Sequence, residues 1–243
     1  MGSFRFSSNI SGLKSRDEFV ATCRRAENYG YDTIFAADHL GHAAPFQAAV
    51  AAAAATERLR VGTLVVNVPF WNPALLAREI ATADILTGGR LEVGLGSGHM
   101  KWEFDEAGIP WESHGPRAYK LSATISELSR LFASDGYRQQ AELRQRLGIP
   151  PLLPVQRWHA LTQVVTVTED RRAAAAGLAE QYGDTVTAEE ILVNPFLFVG
   201  TIDEIAEQII RNRDRYGFTC YTVHEPYLDA FAPVIDRVRA LET

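Results

Sequence analysis

Hydrophobic and polar positions along the chain switch repeatedly between two periods. Short, nearly continuous apolar runs alternate with stretches whose apolar residues recur every three to four positions, the patterns of buried strands and amphipathic helices. Phe4–Ser7 reads as a first strand. Ser15-Arg16-Asp17-Glu18 follows as a capping box, in which a hydroxyl and a carboxylate satisfy orphan backbone N–H groups at a helix start. Phe19, Cys23 and Ala26 then share one helical face, and Gly30 stops the helix. Thr33–Ala36 is a second strand, ending at Asp38-His39. The alanine-rich stretch from Pro45 to Glu57 predicts a helix packed closely on a sheet. Arg60–Val66 is a third strand. Asn72-Pro73 places an N-cap and an N1 proline before a helix with Leu76, Ile80 and Ala83 inward, ended by Gly88-Gly89. Arg90–Leu95 is a fourth strand and runs into Gly96-Ser97-Gly98-His99. Pro116 opens a helix whose stripe is Leu121, Ile125, Leu128 and Phe132.

From 133 to about 160 this alternation lapses. The segment carries Gly136, Gly148, Pro150, Pro151 and Pro154, with a short polar helix over Gln139–Leu147 and no strand legible between Leu95 and Leu161. The pattern resumes with a strand at Thr162–Val167 and a helix at Glu169–Tyr182. Thr187-Ala188-Glu189-Glu190 and Thr201-Ile202-Asp203-Glu204 are two more capping boxes, the second opening a helix with Ile205 and Ile209 inward and Gly217 at its end. Thr219–Val223 is the last strand, and Tyr227–Leu241 the last helix, burying Phe231, Val234, Val238 and Leu241. Six strands each followed by a helix predict an α/β protein with a parallel sheet. At roughly 30 residues per unit, eight βα units need about 240 residues. The chain has 243 but shows six strands, so the expectation is a TIM-barrel-like (β/α) barrel that is incomplete, one domain over 1–243 with an irregular, shortened middle.

Composition narrows the functional classes. With 47% hydrophobic and 22% charged residues, the chain has the make-up of a globular protein and not of a disordered or collagenous one. Its net charge of −6 comes without a long Lys/Arg cluster, which argues against nucleic acid as a partner. The longest apolar run, Ala48–Ala55, is too short for a bilayer, and Met1–Arg5 has no signal-peptide pattern. Two cysteines, Cys23 and Cys220, make neither a disulfide framework nor a four-ligand zinc site. The expected compartment is the reducing cytoplasm.

In βα barrels chemistry sits at the C-terminal strand ends. That rule selects Ser7, Ser8 and Asn9 after the first strand, Asp38 and His39 after the second, and Asn67 with Phe70-Trp71 after the third. Gly96, Ser97, Gly98 and His99 follow the fourth, and His224 with Glu225 the last. Three of the six histidines fall at these ends. His39, beside Asp38, suits a general acid or a hydrogen-bond donor to a ring nitrogen, because imidazole titrates near neutrality. His99 lies in a glycine-rich turn where backbone can approach a flat ligand, and His224-Glu225 is a pair able to move protons. The plain alternatives are a loop histidine making one structural bond for His39, an ordinary strand–helix turn for His99, and a solvated strand end before Pro226 for His224-Glu225. No metal site is expected, since neither His-Glu-x-x-His nor Cys-x-x-Cys occurs. Gly94, Gly96 and Gly98 lack the spacing of a dinucleotide loop, and no Gly-x-Ser-x-Gly elbow is present.

Several of these stretches occur together in one known family. Gly30-Tyr31-Asp32-Thr33-Ile34-Phe35-Ala36-Ala37-Asp38-His39 resembles the second-strand signature of the bacterial luciferase-like monooxygenases. Arg58–Thr63, Asn72–Glu79 and Gly88–Gly98 continue the likeness. Glu103–Pro110, Phe198–Thr201 and Glu225–Pro233 are similar to the branch that uses the deazaflavin coenzyme F420. The resemblance covers roughly residues 4–132 and 160–241. It implies a TIM barrel, a cofactor that is F420 or FMN, a small organic substrate, oxidoreductase or monooxygenase chemistry, and a homodimer. Carried onto this chain, it sets Asp38 and His39, with His99, His224 and Glu225, as catalytic candidates. Ser7, Thr63, Leu64, Asn67, Gly96, Ser97 and Gly98 become the cofactor-binding candidates. It also implies a non-proline cis peptide on the third strand, matched here by Thr63-Leu64.

One departure qualifies the likeness. The family's Pro-Pro-x-Leu-Ile-Gly-Gly-Gly strand and its phosphate cradle have no counterpart between Phe132 and Gln163. An anionic tail draws much of its binding from such backbone N–H groups. Weak cofactor binding, altered binding or loss of the cofactor all follow as alternatives. Loss leaves either a cofactor-independent isomerase, lyase or cyclase working with the rim histidines, or a non-catalytic ligand-binding barrel. The shortened barrel also leaves strand edges for Gly136–Leu153 or a second subunit to cover.

Overall fold

The computed structural model describes residues 3–12, 15–152 and 159–242. Its strands are β1 (Arg5–Ile10), β2 (Thr33–Ala36), β3 (Arg60–Asn67), β4 (Leu91–Gly96), β5 (His159–Thr162), β6 (Val164–Val167), β7 (Leu197–Gly200) and β8 (Cys220–His224). Its helices are α1 (Arg16–Asn28), α2 (Pro45–Ala55), α3 (Pro73–Leu86), α4 (Lys101–Glu106), α5 (His114–Phe132), α6 (Arg138–Arg146), α7 (Arg171–Gln181), α8 (Ala188–Val193), α9 (Ile202–Tyr216) and α10 (Leu228–Glu242). Six strands share one sheet in the order β4-β3-β2-β1-β8-β5, and β6 and β7 form a second sheet. The pairs β1–β8, β3–β4, β5–β8 and β6–β7 are parallel. The chain is thus α/β with a parallel sheet, as its alternating pattern implied.

Two strands escape the sequence reading. The run taken as one strand over Thr162–Val167 is split at Gln163, whose N–H donates to Phe196 O at 2.9 Å. Before it, β5 pairs with β8; after it, β6 pairs with β7. Apolar periodicity reports burial but not the identity of the partner strand, so a change of sheet leaves no mark on it. The other unread strand, β7, is four residues long and wholly buried. A run that short is indistinguishable by pattern from the end of a helix. Helix α5 begins at His114, two residues before Pro116, and its buried positions are Arg117, Thr124 and Leu128. Leu153 and Pro154 lie outside the described residues.

The three predicted capping boxes and the Asn72-Pro73 start are built as expected. Glu18 N donates to Ser15 Oγ, Asn72 Oδ1 accepts from Ala74 N and Leu75 N, and both later capping boxes close reciprocally. Gly217 caps α9 in the left-handed region, with φ of 77°.

The chain divides into two compact units, with boundaries inside β1, α1 and β2. The first comprises 1–9, 25–33 and 157–243. Its core stacks Phe6, Tyr221, Phe198 and Phe231, with centroids 5.7–6.4 Å apart. A smaller cluster of Ala175, Ile191, Leu197 and Val199 lies between α7, α8 and β7. Tyr31 is buried there and donates to Leu228 O at 2.8 Å, and burial raises its phenol above the ordinary range.

The second unit comprises 10–24 and 34–156. Strands β3 and β4 pair closely enough that a Cβ on Gly62 would stand 1.8 Å from Glu92 O. Their register shifts between Thr63 and Val66. Within the irregular middle, α6 is held by a buried ion pair. Arg144 of α6 donates from Nη2 and Nε to Asp84 of α3 at 2.7 and 2.8 Å, and Gln140 adds a third bond at 2.9 Å. Beyond α6, Leu147 and Ile149 come so close to Gly89 that a Cβ there would lie 2.4 Å from Ile149 Cδ1. The segment therefore packs over the C-terminal end of α3.

Candidate active site

The densest set of sequence-selected residues lies within the second unit, where the ends of β2, β3 and β4 meet α4. Asp38 N donates to Val65 O at 3.2 Å. The Asp38 carboxylate accepts through Oδ2 from Asn67 N at 3.0 Å and from Trp71 Nε1 at 2.8 Å, binding the end of β3 to the turn after it. Burial raises the Asp38 carboxyl above the ordinary carboxylate range. The Trp71 and Asn67 hydrogen bonds and the His39 charge oppose that rise, while the Glu103 charge adds to it.

His39 points into a different contact. Its Nδ1 lies 2.9 Å from Glu103 Oε1, which also accepts from Leu40 N at 3.0 Å. The Glu103 side chain is 1% exposed, whereas that of His39 is 23% exposed. Glu103 Oε2 is buried with no hydrogen-bond partner. A buried carboxylate accepting at Nδ1 selects the Nδ1–H tautomer and leaves Nε2 as the acceptor nitrogen. The His39 ring meets His42 and His99 edge-on, with centroids 5.5 and 5.4 Å away. His99 is exposed, at the end of the turn Gly96-Ser97-Gly98.

The cofactor-binding candidates separate by what their side chains already do. Thr63 is buried, and its hydroxyl both donates to Gly94 O and accepts from Gly94 N, so it is engaged in strand pairing. The non-proline cis peptide is Leu64-Val65, one residue later than the family likeness placed it. Leu64 is half-buried and Val65 is 36% exposed, which presents an apolar surface. Asn67 is buried, and its Oδ1 has no hydrogen-bond partner. Gly98 has φ of 75°, and a Cβ there would stand 2.6 Å from Asn67 Oδ1 and 2.7 Å from the Phe104 ring. Glycine at 98 is thus required by the protein's own packing.

The remaining candidates belong to the first unit. Ser7 Oγ donates to Tyr221 O at 3.1 Å and shares a 2.7 Å bond with Thr222 Oγ1. Thr222 Oγ1 in turn lies 2.7 Å from His159 Nε2. His224 and Glu225 are half-buried at the end of β8, with His224 in register with Asn9. No group of three or more metal-ligating side chains is assembled among the described residues.

Glu103 and Arg117 are the residues that strand-end reasoning missed. Both lie on helices, yet both occupy buried positions. Lys101 and Asp105 form the i, i+4 pair on the exposed side of α4, at 2.6 Å, while Glu103 and Phe104 are buried. An acid beside a buried phenylalanine, and an arginine four residues before Leu121 on a helical stripe, were the available signals.

Comparison with known proteins identifies the family. Residues 3–130 match the family model for luciferase-like monooxygenases, and the chain belongs to that family. It is 34% identical over 128 residues to an F420-dependent glucose-6-phosphate dehydrogenase of Amycolatopsis mediterranei (strain U-32), covering 49% of this chain and 38% of that protein. It is 39% identical over 84 residues to an FMNH(2)-dependent dimethylsulfone monooxygenase of Pseudomonas putida, covering 35% of this chain and 23% of that protein. The chain thus matches less than half the length of these relatives. Among solved structures, an F420-dependent secondary alcohol dehydrogenase in complex with an F420-acetone adduct aligns with a TM-score of 0.71 at 16% identity, over 98% of this chain and 100% of that one. That likeness establishes the TIM-barrel-like fold. The family's named relatives are F420- or flavin-dependent oxidoreductases and monooxygenases.

Proposed function

We propose that this chain is an oxidoreductase that acts on a small organic substrate with F420 or FMN, its ring lying against Leu64, Val65, Asn67 and the His39–His99 pair. The observation that carries the reading is His39, held through Nδ1 by buried Glu103 with Nε2 left to accept. The residues present suit the ring of such a cofactor: apolar Leu64-Val65 offers it a face, and the orphaned Asn67 Oδ1 offers an acceptor. A bound cofactor supplies the redox chemistry. His39 Nε2 takes or returns the proton, Glu103 steadies the imidazole and its charged form, and Asp38 anchors the loop that carries His39. His99 orients the ligand, with Gly96, Ser97 and Gly98 shaping its turn. Ser7, His224 and Glu225 are proposed, within the first unit by itself, as further ligand and proton contacts.

The test is titration of the purified protein with F420 and with FMN, oxidised and reduced, read by absorbance shift and fluorescence quenching. Saturable binding, weakened by His39→Ala, is expected; no spectral change at high protein concentration rejects the proposal.

A second reading is favoured by one observation. The segment where the family's phosphate cradle would lie is instead α6, tied to Asp84, and no glycine-rich cradle occurs among the described residues there. An enzyme without a redox cofactor, using His39 as its acid–base group, is consistent with that. A colourless protein with His39-dependent turnover would establish it.

The finer setting is also proposed. Leu75, Arg78, Thr82 and Ile85 repeat at helical spacing on the exposed side of α3, with Leu86 beside them. Leu75, Ile85 and Leu86 are 42–63% exposed, which suits a second copy of this chain, and light scattering of the eluted protein tests for a dimer. Neither cysteine is disulfide-bonded, no helix is long and apolar enough to cross a membrane among the described residues, and the net charge is negative. These support a cytoplasmic setting without nucleic-acid partners.

A further inference from the structure

The turn that carries His99 is held by a buried cation. Arg117 is 9% exposed, in the first part of α5. Its Nη1 donates to Ser97 O at 3.3 Å and to Gly98 O, and its Nε donates to Glu112 O at 3.0 Å. Its guanidinium lies 4.0 Å over the Trp111 ring. Among the described residues no carboxylate pairs with it; that of Glu112, near in sequence, is taken by Lys120 at 2.5 Å. Burying a guanidinium without a counter-ion is unfavourable unless its hydrogen bonds and stacking offset the lost hydration. Here those offsetting contacts are spent on the backbone of one turn and on one indole.

Both ends of this arrangement lead to the histidines. Ser97 and Gly98 immediately precede His99. Trp111 meets Phe104 edge-on at 4.8 Å, and Phe104 adjoins Glu103, which holds His39. Phe104 and Asn67 in turn crowd the Cα of Gly98.

We propose that Arg117 is a positioning residue for the His39–His99 pair. It fixes the His99 turn through the two carbonyls, and α4 through Trp111 and Phe104. A planar group with several donors does this where an ammonium does not, because the carbonyls and the indole are engaged at once. The inference rests on the functional reading of the two histidines, but its geometry is testable without any cofactor.

The experiment is NMR of the cofactor-free protein with labelled histidine. The wild type is expected to show a cross-relaxation contact between the His39 and His99 rings, and Arg117→Met to lose it while unfolding stays cooperative. Arg117→Lys is expected to recover it only in part, and methylguanidinium added to Arg117→Ala to restore it. Trp111→Leu keeps the cation and is expected to weaken the contact; it serves if the Arg117 variants do not fold. Unchanged ring contacts in folded Arg117→Met, or in Trp111→Leu if that variant is the one that folds, overturn the proposal. Absence of cofactor binding to the wild type would instead count against the functional reading and leave this measurement intact.

Discussion

Breaking the ion pair beneath α6 is the most quantitative test of the fold. The Asp84 side chain is 0% exposed and that of Arg144 7%. Arg144→Met removes two hydrogen bonds to Asp84 and a third, at 2.7 Å, to Pro150 O. Gln140 alone then faces a carboxylate with no route to water. Leaving one member of a buried pair uncompensated costs about 3–5 kcal/mol. For a chain of this size each kcal/mol lowers Tm by roughly 2–4 °C, so a loss of about 8–16 °C is expected for 4 kcal/mol. Replacing both partners, Asp84→Leu with Arg144→Met, removes the charge together with its counter-ion. That variant is expected to fall within about 1 kcal/mol of wild type. Because the chain contains two compact units, global melting needs a local companion. Urea titration followed by circular dichroism gives the stability, and amide exchange along α6 shows whether that helix alone undocks. Added salt should change little, since a pair this buried is poorly screened. A cost below about 1 kcal/mol for Arg144→Met, or a double variant as unstable as the single, would refute the account.

Three further outcomes follow from the site and the sheet. Glu103→Gln should release the His39 tautomer, so that imidazole ¹⁵N shifts report a mixture in place of Nδ1–H; an unchanged tautomer means that Glu103 does not set it. The Asp38 carboxyl is raised chiefly by burial, so its neutral form favours folding at low pH, and that contribution is lost as pH climbs from the ordinary carboxylate value through the raised one. Asp38→Asn should flatten that slope in urea midpoints measured across the acid range, and an unaltered slope would contradict the assignment. Gly62→Ala drives a methyl into Glu92 O and should cost more than the roughly 1–3 kcal/mol typical of overpacking, seen as loss of soluble protein or a large fall in Tm.

Much of the scaffold was legible because it rests on local chemistry. Capping boxes at Ser15, Thr187 and Thr201, and the Asn72-Pro73 start, are satisfied within four residues of chain, so their patterns carry over directly into hydrogen bonds. Strand β3 is a nearly continuous apolar run of eight residues, and β4, of six, is also long enough to be read. The short strands were harder. A run such as Leu197–Gly200 gives no periodicity, and the change of partner at Gln163 depends on Phe196, 33 residues away. On the site, strand-end logic found Asp38, His39, Asn67 and His99, which the fold brings together. The family likeness assigned Thr63 to ligand binding, although the Thr63 hydroxyl is engaged with Gly94. Strand-end logic overlooked Glu103 and Arg117, because a charged residue on a helix reads as solvent-facing until its neighbours are known.

By itself, then, the amino-acid sequence determined most of the alternation of strands and helices, the capped helix starts, the family and the shortlist of imidazoles, all encoded in residues near one another. Only the tertiary structure decided which acid orients His39, that Asp38 ties down a loop, that α6 docks on α3, and that the cis bond falls at Leu64-Val65. Each of those depends on groups brought within hydrogen-bonding distance by packing across dozens of residues. Partnership of that kind is a property of the folded geometry, and no spacing along the chain records it.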